Sequence, residues 1–208
     1  MKARLSLLSA ALLLGLTATG AQAAVLCSAG SPHPDGLSVS DMTFRGNAAD
    51  DCYGIVVGND NGNNVWTSTG WTLFAKDDVG GTQSSGSVNG IQFTLDALPN
   101  TAATSGTWVL SWAQVGTPGY DLTMDIVAVL KGGNRFASYL FNQETFTNSP
   151  TRGSGTWTIT YKNEGGQTPD LYLTCPTSRS IIKMRLAPAA PPVAAAAPMV
   201  TVSPSRAC

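Results

Sequence analysis

Histidine and glutamate are almost missing from this chain: His33 stands alone, and Glu144 and Glu164 are the only glutamates among 208 residues. That scarcity narrows the chemistry. A Ser-His-Asp relay would have to recruit His33, which lies between Pro32 and Pro34 in a stretch expected to be an exposed loop, and no G-x-S-x-G elbow holds a serine. Glycoside hydrolysis needs two carboxyl groups about 5–10 Å apart across the scissile bond. Neither glutamate belongs to an E-x-D-x-E run that would line carboxylates along one strand face. Asp121 and Asp125 share a face of one expected strand but read as edge or turn carboxylates, and Asp77-Asp78 after Lys76 reads as a solvated turn. No C-x-x-C pair offers a structural zinc site. No basic run exists to follow a nucleic-acid backbone. Helix-period segments are also missing, as is any stretch beyond the N-terminus approaching the roughly 20 apolar residues needed to cross a bilayer.

Met1 to Ala23 has a basic start at Lys2 and Arg4, an apolar middle from Leu5 to Leu16 and the small-residue ending Ala21-Gln22-Ala23. This is the pattern of a cleaved secretory signal, with Ala24 the expected mature N-terminus. Cys27 follows Leu26 instead of a small residue, so lipid attachment there is not expected. Removing Lys2 and Arg4 leaves ten basic against thirteen acidic residues, a net charge of −3. Residues 24–186 are expected to form one domain with a substantial core. Residues 187–208 carry Pro188, Pro191, Pro192, Pro198 and Pro204, which forbid a continuous helix and mark an extended, flexible tail. The expected location is extracellular, either secreted or at the cell surface, with no membrane span in the mature chain.

Four cysteines, Cys27, Cys52, Cys175 and Cys208, enter an oxidising compartment in which disulfides are the default. Cys27 with Cys52 is the favoured pair, closing a loop worth about 3 kcal/mol. Cys175 with Cys208 is the second candidate, although a terminal cysteine could also pair between molecules.

The longest apolar run after the N-terminus, Asp125 to Phe141, contains its own turn at Lys131-Gly132-Gly133-Asn134, since glycine enters positive φ without steric cost. It reads as an antiparallel hairpin. The phrases Ser105-Gly106-Thr107-Trp108 and Ser154-Gly155-Thr156-Trp157 flank it, each opening an alternating strand. Further strands are expected over Leu37 to Phe44, Tyr53 to Val57, Trp71 to Lys76, Gly90 to Ala97, Asp170 to Cys175 and Ser180 to Leu186. The pattern predicts an all-β, antiparallel, two-sheet β-sandwich, jelly-roll-like, of about ten strands. Ile91, Phe93 and Leu95 alternate with polar residues, which implies one wet face. Ile126 to Leu130 does not alternate, which implies that both of its faces are covered. Trp108, Trp112 and Trp157 read as inter-sheet core in preference to a sugar-stacking platform.

Gly58-Asn59-Asp60-Asn61-Gly62-Asn63-Asn64 is the most concentrated polar cluster. Asn59, Asp60 and Asn61 could supply hard oxygen ligands to calcium, and Asn59-x-Asn61-Gly62 resembles part of an EF-hand loop, but the first and last ligand positions fall on Val57 and Ser68. The competing reading is a turn whose Asn side chains cap their own backbone without a metal. No cofactor is expected on the leading reading; calcium is the alternative.

Cys52-Tyr53-Gly54, Gly58-Asn59-Asp60, Phe74-Ala75-Lys76-Asp77, Ser105-Gly106-Thr107-Trp108, Val129-Leu130-Lys131-Gly132-Gly133-Asn134, Ala137-Ser138-Tyr139-Leu140-Phe141 and Gly155-Thr156-Trp157 occur in this order. Over about residues 40 to 175 these phrases resemble the exported domain of bacterial PEP-CTERM proteins. The resemblance implies a non-enzymatic surface protein associated with exopolysaccharide, biofilm and floc formation, whose partners are extracellular polysaccharide or other surface proteins. It carries over no catalytic residue. The family's Pro-Glu-Pro sorting signal is replaced here by Pro-Ala-Ala-Pro-Pro at residues 188–192. Two alternatives belong to other classes. One is a carbohydrate-binding module in which Trp66, Tyr120 or Tyr172 stacks on sugar while Asp60 and Asn61 bind hydroxyls or calcium. The other is a glycan-cleaving enzyme using Glu144 or Glu164.

Overall fold

A computed structural model describes residues 23–29, 32–78, 83–99, 101, 103–117, 119–163, 165–169 and 181–187. Tyr172, Cys175, Cys208, Glu164, the expected strand Asp170 to Cys175, most of the signal segment and nearly all of the tail lie outside the described residues. The strands are β1 (Val25–Leu26), β2 (Thr43–Phe44), β3 (Asn47–Ala48), β4 (Asp51–Val57), β5 (Thr72–Asp78) and β6 (Ser84–Val88). They continue as β7 (Ile91–Leu98), β8 (Ser105–Gln114), β9 (Leu122–Gly132), β10 (Arg135–Phe146), β11 (Arg152–Thr158) and β12 (Ile181–Leu186).

The architecture is all-β and antiparallel, as the alternation predicts. Ten strands form one hydrogen-bonded, curled sheet in the order β1-β4-β10-β9-β12-β5-β6-β7-β8-β11, and β2 with β3 forms a small separate sheet. The expected hairpin is β9–β10, closed by Gly133 and Asn134 with Gly133 at φ 63°. Gly132 belongs to the strand itself, where a Cβ would come within 2.9 Å of the Pro169 ring and 3.1 Å of the Tyr161 hydroxyl.

Both halves of the curled sheet, β1-β4-β10-β9-β12-β5 and β6-β7-β8-β11, contribute to one main core. Ile91, Phe93 and Leu95 of β7 and Trp108, Leu110 and Trp112 of β8 point inward, as do Ile126, Ala128 and Leu130 of β9 and Tyr139 and Phe141 of β10. Aromatic rings bridge the halves: Phe146 of β10 meets Phe93 edge-on at 5.0 Å and Trp112 at 5.1 Å. Phe44 stacks on Trp108 at 4.9 Å. Trp108, Trp112 and Trp157 are at most 3 % exposed, which makes this tryptophan set core. The segment after β1 reaches both β11 and β10: Met42 bridges to Trp157 of β11, and the Asp50 amide donates to the Leu140 carbonyl of β10.

Three local expectations change. Leu37 to Phe44 is a strand only at its end, because Ser38 and Asp41 form a reciprocal capping box around a 3-10 turn at Val39–Asp41. β6 is an additional strand, Ser-Ser-Gly-Ser-Val, joined to β7 by Asn89 at φ 48° and Gly90 at φ 76°. Asp77 and Asp78 are buried in β5 instead of forming a solvated turn: Asp77 accepts the Ala97 amide and Asp78 pairs with Lys76.

Candidate functional site

The Asn-rich segment between β4 and β5 folds over the outer face of the β4-β10-β9-β12-β5 half. Val65 and Trp71 pack there on Val127 and Val129 of β9 and Phe136 of β10, forming a second apolar cluster opposite the main core. This explains why Ile126 to Leu130 does not alternate: even positions enter the main core and odd positions enter the covered outer cluster. Gly62 permits the close approach, because a Cβ there would lie 2.4 Å from the Trp71 carbonyl oxygen.

Asp60 is drawn beneath this loop. Its side chain is fully buried, with Oδ1 accepting from Lys183 Nζ at 2.7 Å and Oδ2 from Arg185 at 3.0 Å, both on β12. Arg185 also donates to the Trp71 carbonyl, so one guanidinium holds both ends of the loop. Lys131 of β9 is buried near the same charges, and desolvation lowers its pKa despite the Asp60 carboxylate. Asp60 is therefore an internal ion-pair partner, and a metal or sugar hydroxyl would have to displace two cations to reach it.

Asn61 stays exposed and accepts the Asn63 amide through Oδ1 at 2.8 Å, while Asn64 Oδ1 accepts the Asn61 amide at 2.7 Å. Asn64 Nδ2 donates to the Asn59 carbonyl at 2.9 Å. These bonds are the self-capping Asx pattern. Asn59 and Asn61 are exposed while Asp60 is buried, so the trio is split between the outside and the underside of the loop. Trp66 is half-buried on the second cluster, its ring tilted 56° to Tyr53 at 5.8 Å. Tyr120 is half-buried against the main core, far in sequence from that pair. The structure thus joins Trp66 to Tyr53, a residue that composition did not single out.

The remaining polar groups are mostly committed to building the fold. His33 is 5 % exposed, a correction to the expected exposed loop residue. Nδ1 accepts the Asp35 amide, which leaves Nε2 to donate to the Val25 carbonyl. Asp51 accepts Ser28 through both its amide and its hydroxyl, beside the disulfide that joins Cys27 to Cys52. Asp125 holds the bulge in β10 by accepting the Gln143 amide. Asp41 accepts Tyr139, Thr160 and the Ser38 amide, yet burial pushes its carboxyl up. Burial likewise raises Glu144, against the opposing pull of the Arg45 guanidinium 3.1 Å away.

Two open concavities lie among the described residues. One, of about 440 Å³, lies beside the disulfide between Ser28, His33, Val39 and Asp50. The other, of about 200 Å³, lies on the uncovered face of β7, β8 and β11 between Gln92, Thr94, Ser111 and Arg152. Comparison with protein-family models, with curated proteins and with solved structures finds no match to this chain.

Proposed function

We propose that this is a non-enzymatic protein of the bacterial extracellular or cell-surface matrix, exported by its N-terminal signal, that works through contacts with polysaccharide or with other surface proteins. The observation that carries the reading is the unequal treatment of the sheet's outer faces. One is sealed by a loop. The other, on β6, β7, β8 and β11, is left as a broad surface of Ser, Thr, Gln and Arg side chains, a composition suited to hydroxyl-rich partners. The Cys27–Cys52 disulfide supports export to an oxidising compartment. Architecturally, the reading takes the two halves of the curled sheet as the layers of a jelly-roll-like β-sandwich, supported by the aromatic contacts that cross between them. Kinship with PEP-CTERM surface proteins rests on the phrases quoted from the sequence.

Immunodetection in cytoplasmic, medium, cell-surface and matrix fractions of the producing bacterium tests it. Recovery in the matrix or at the surface is expected, and recovery in the cytoplasm alone overturns the reading. A second reading, a carbohydrate-binding module, draws on the half-buried pair of Trp66 and Tyr53 beside exposed Asn61. It expects saturable glycan binding that Trp66→Ala abolishes, measured with and without a chelator to reveal a calcium requirement.

A further inference from the structure

Across the uncovered face, the register sets Thr94 of β7 opposite Ser111 of β8, and Ser111 opposite Arg152 of β11. With neighbouring strands about 4.8 Å apart, this row is roughly 10 Å long. Gln92, two residues along β7, and Thr151, preceding β11, extend it into the groove of about 200 Å³.

Arg152 differs from the other cations. Among the described residues, Arg45, Lys76, Lys183 and Arg185 engage carboxylates, and Lys131, Arg135 and Lys162 donate to carbonyl or hydroxyl oxygens. Arg152 is exposed, and its guanidinium meets no acceptor among the described residues. An unpaired guanidinium on a rigid sheet presents two parallel N–H donors, the geometry that receives a carboxylate in bidentate fashion. Around it stand the hydroxyls of Thr94, Ser111 and Thr151 and the amide of Gln92, which both donate and accept. One cation among several neutral polar groups complements a ring that bears one carboxylate and several hydroxyls. Asp96, in the next row on β7, carries negative charge and so favours seating the carboxylate at the Arg152 end of the groove.

We propose that this groove binds a carboxylated polysaccharide, with a uronate carboxylate paired to Arg152 and sugar hydroxyls bonded to Gln92, Thr94 and Ser111. The proposal rests on the matrix reading and specifies the polymer it contacts.

Affinity electrophoresis of the mature chain at neutral pH tests it, with polygalacturonate as probe and dextran as the neutral control. Polygalacturonate is expected to retard the protein and dextran to leave it unretarded. Arg152→Gln should weaken the apparent affinity about tenfold or more, the loss of one charge-assisted pair. Ser111→Phe, which fills the groove, should also abolish retardation. Lys162→Gln, an exposed cation elsewhere, should leave it unchanged. Circular dichroism melts of each variant establish that the fold is retained. No retardation by polygalacturonate, equal retardation by dextran, or full affinity in Arg152→Gln each overturns the groove. None of these outcomes touches the matrix assignment, which stands or falls on the fractionation.

Discussion

Val129 of β9 and Val109 of β8 are both strand valines on the outer side of the same curled sheet, yet they live in different environments. Val129 is fully buried between the sheet and the loop that carries Val65 and Trp71. Val109 is half-exposed between Asp96 and Ser154. The difference teaches that outward and wet are not equivalent in this fold. One half of the sheet has acquired a second core and an internal ion cluster, and the other has kept a largely polar outer surface.

The comparison breaks most severely if the loop's anchor is removed. Asp60→Ala leaves Lys183 and Arg185 facing each other without their carboxylate and should cost about 3–5 kcal/mol of unfolding free energy, read from urea denaturation. The valine pair sharpens it directly. Val129→Ser should cost about 2 kcal/mol or more through lost burial, whereas Val109→Ser should stay within about 0.5 kcal/mol. Equal losses would show that the loop does not seal its face.

The closure between the halves supplies a pH test. Burial raises the Asp41 carboxyl from its ordinary value, so the folded state holds that proton more tightly than the unfolded chain does. The contribution is therefore present at low pH and is lost as pH rises through the raised value. Stability measured from pH 4 upward should fall over that window, and Asp41→Asn should flatten this part of the profile. The smallest effect belongs to the bare face: Gln92→Ala, exposed on β7, should leave stability unchanged within about 0.5 kcal/mol.

Much of this was legible in particular residues. Ile91-Gln92-Phe93-Thr94-Leu95 announced a one-sided strand, and the unbroken Ile126 to Leu130 announced two covered faces. The Asn89-Gly90 turn and the Ser38–Asp41 capping box were present as signals for β6 and the 3-10 turn. They were masked by the weak apolar content of Ser84–Val88 and by the alternation through Val39. The site was less legible. A polar run such as Gly58 to Asn64 looks like a surface ligand loop because composition does not show which carboxylate turns inward.

Local sequence suffices for the all-β class, the β9–β10 hairpin and the inward face of Phe93, Trp108, Trp112 and Trp157, because strand period and turn chemistry are properties of a few adjacent residues. Only the tertiary structure decided that β12 inserts between β9 and β5, that the Asn-rich loop covers β9, and that Asp60 meets cations 123 and 125 residues away. Those choices depend on matching apolar area and charge across the whole chain, and one buried carboxylate between two cations is settled only where the strands that carry them meet.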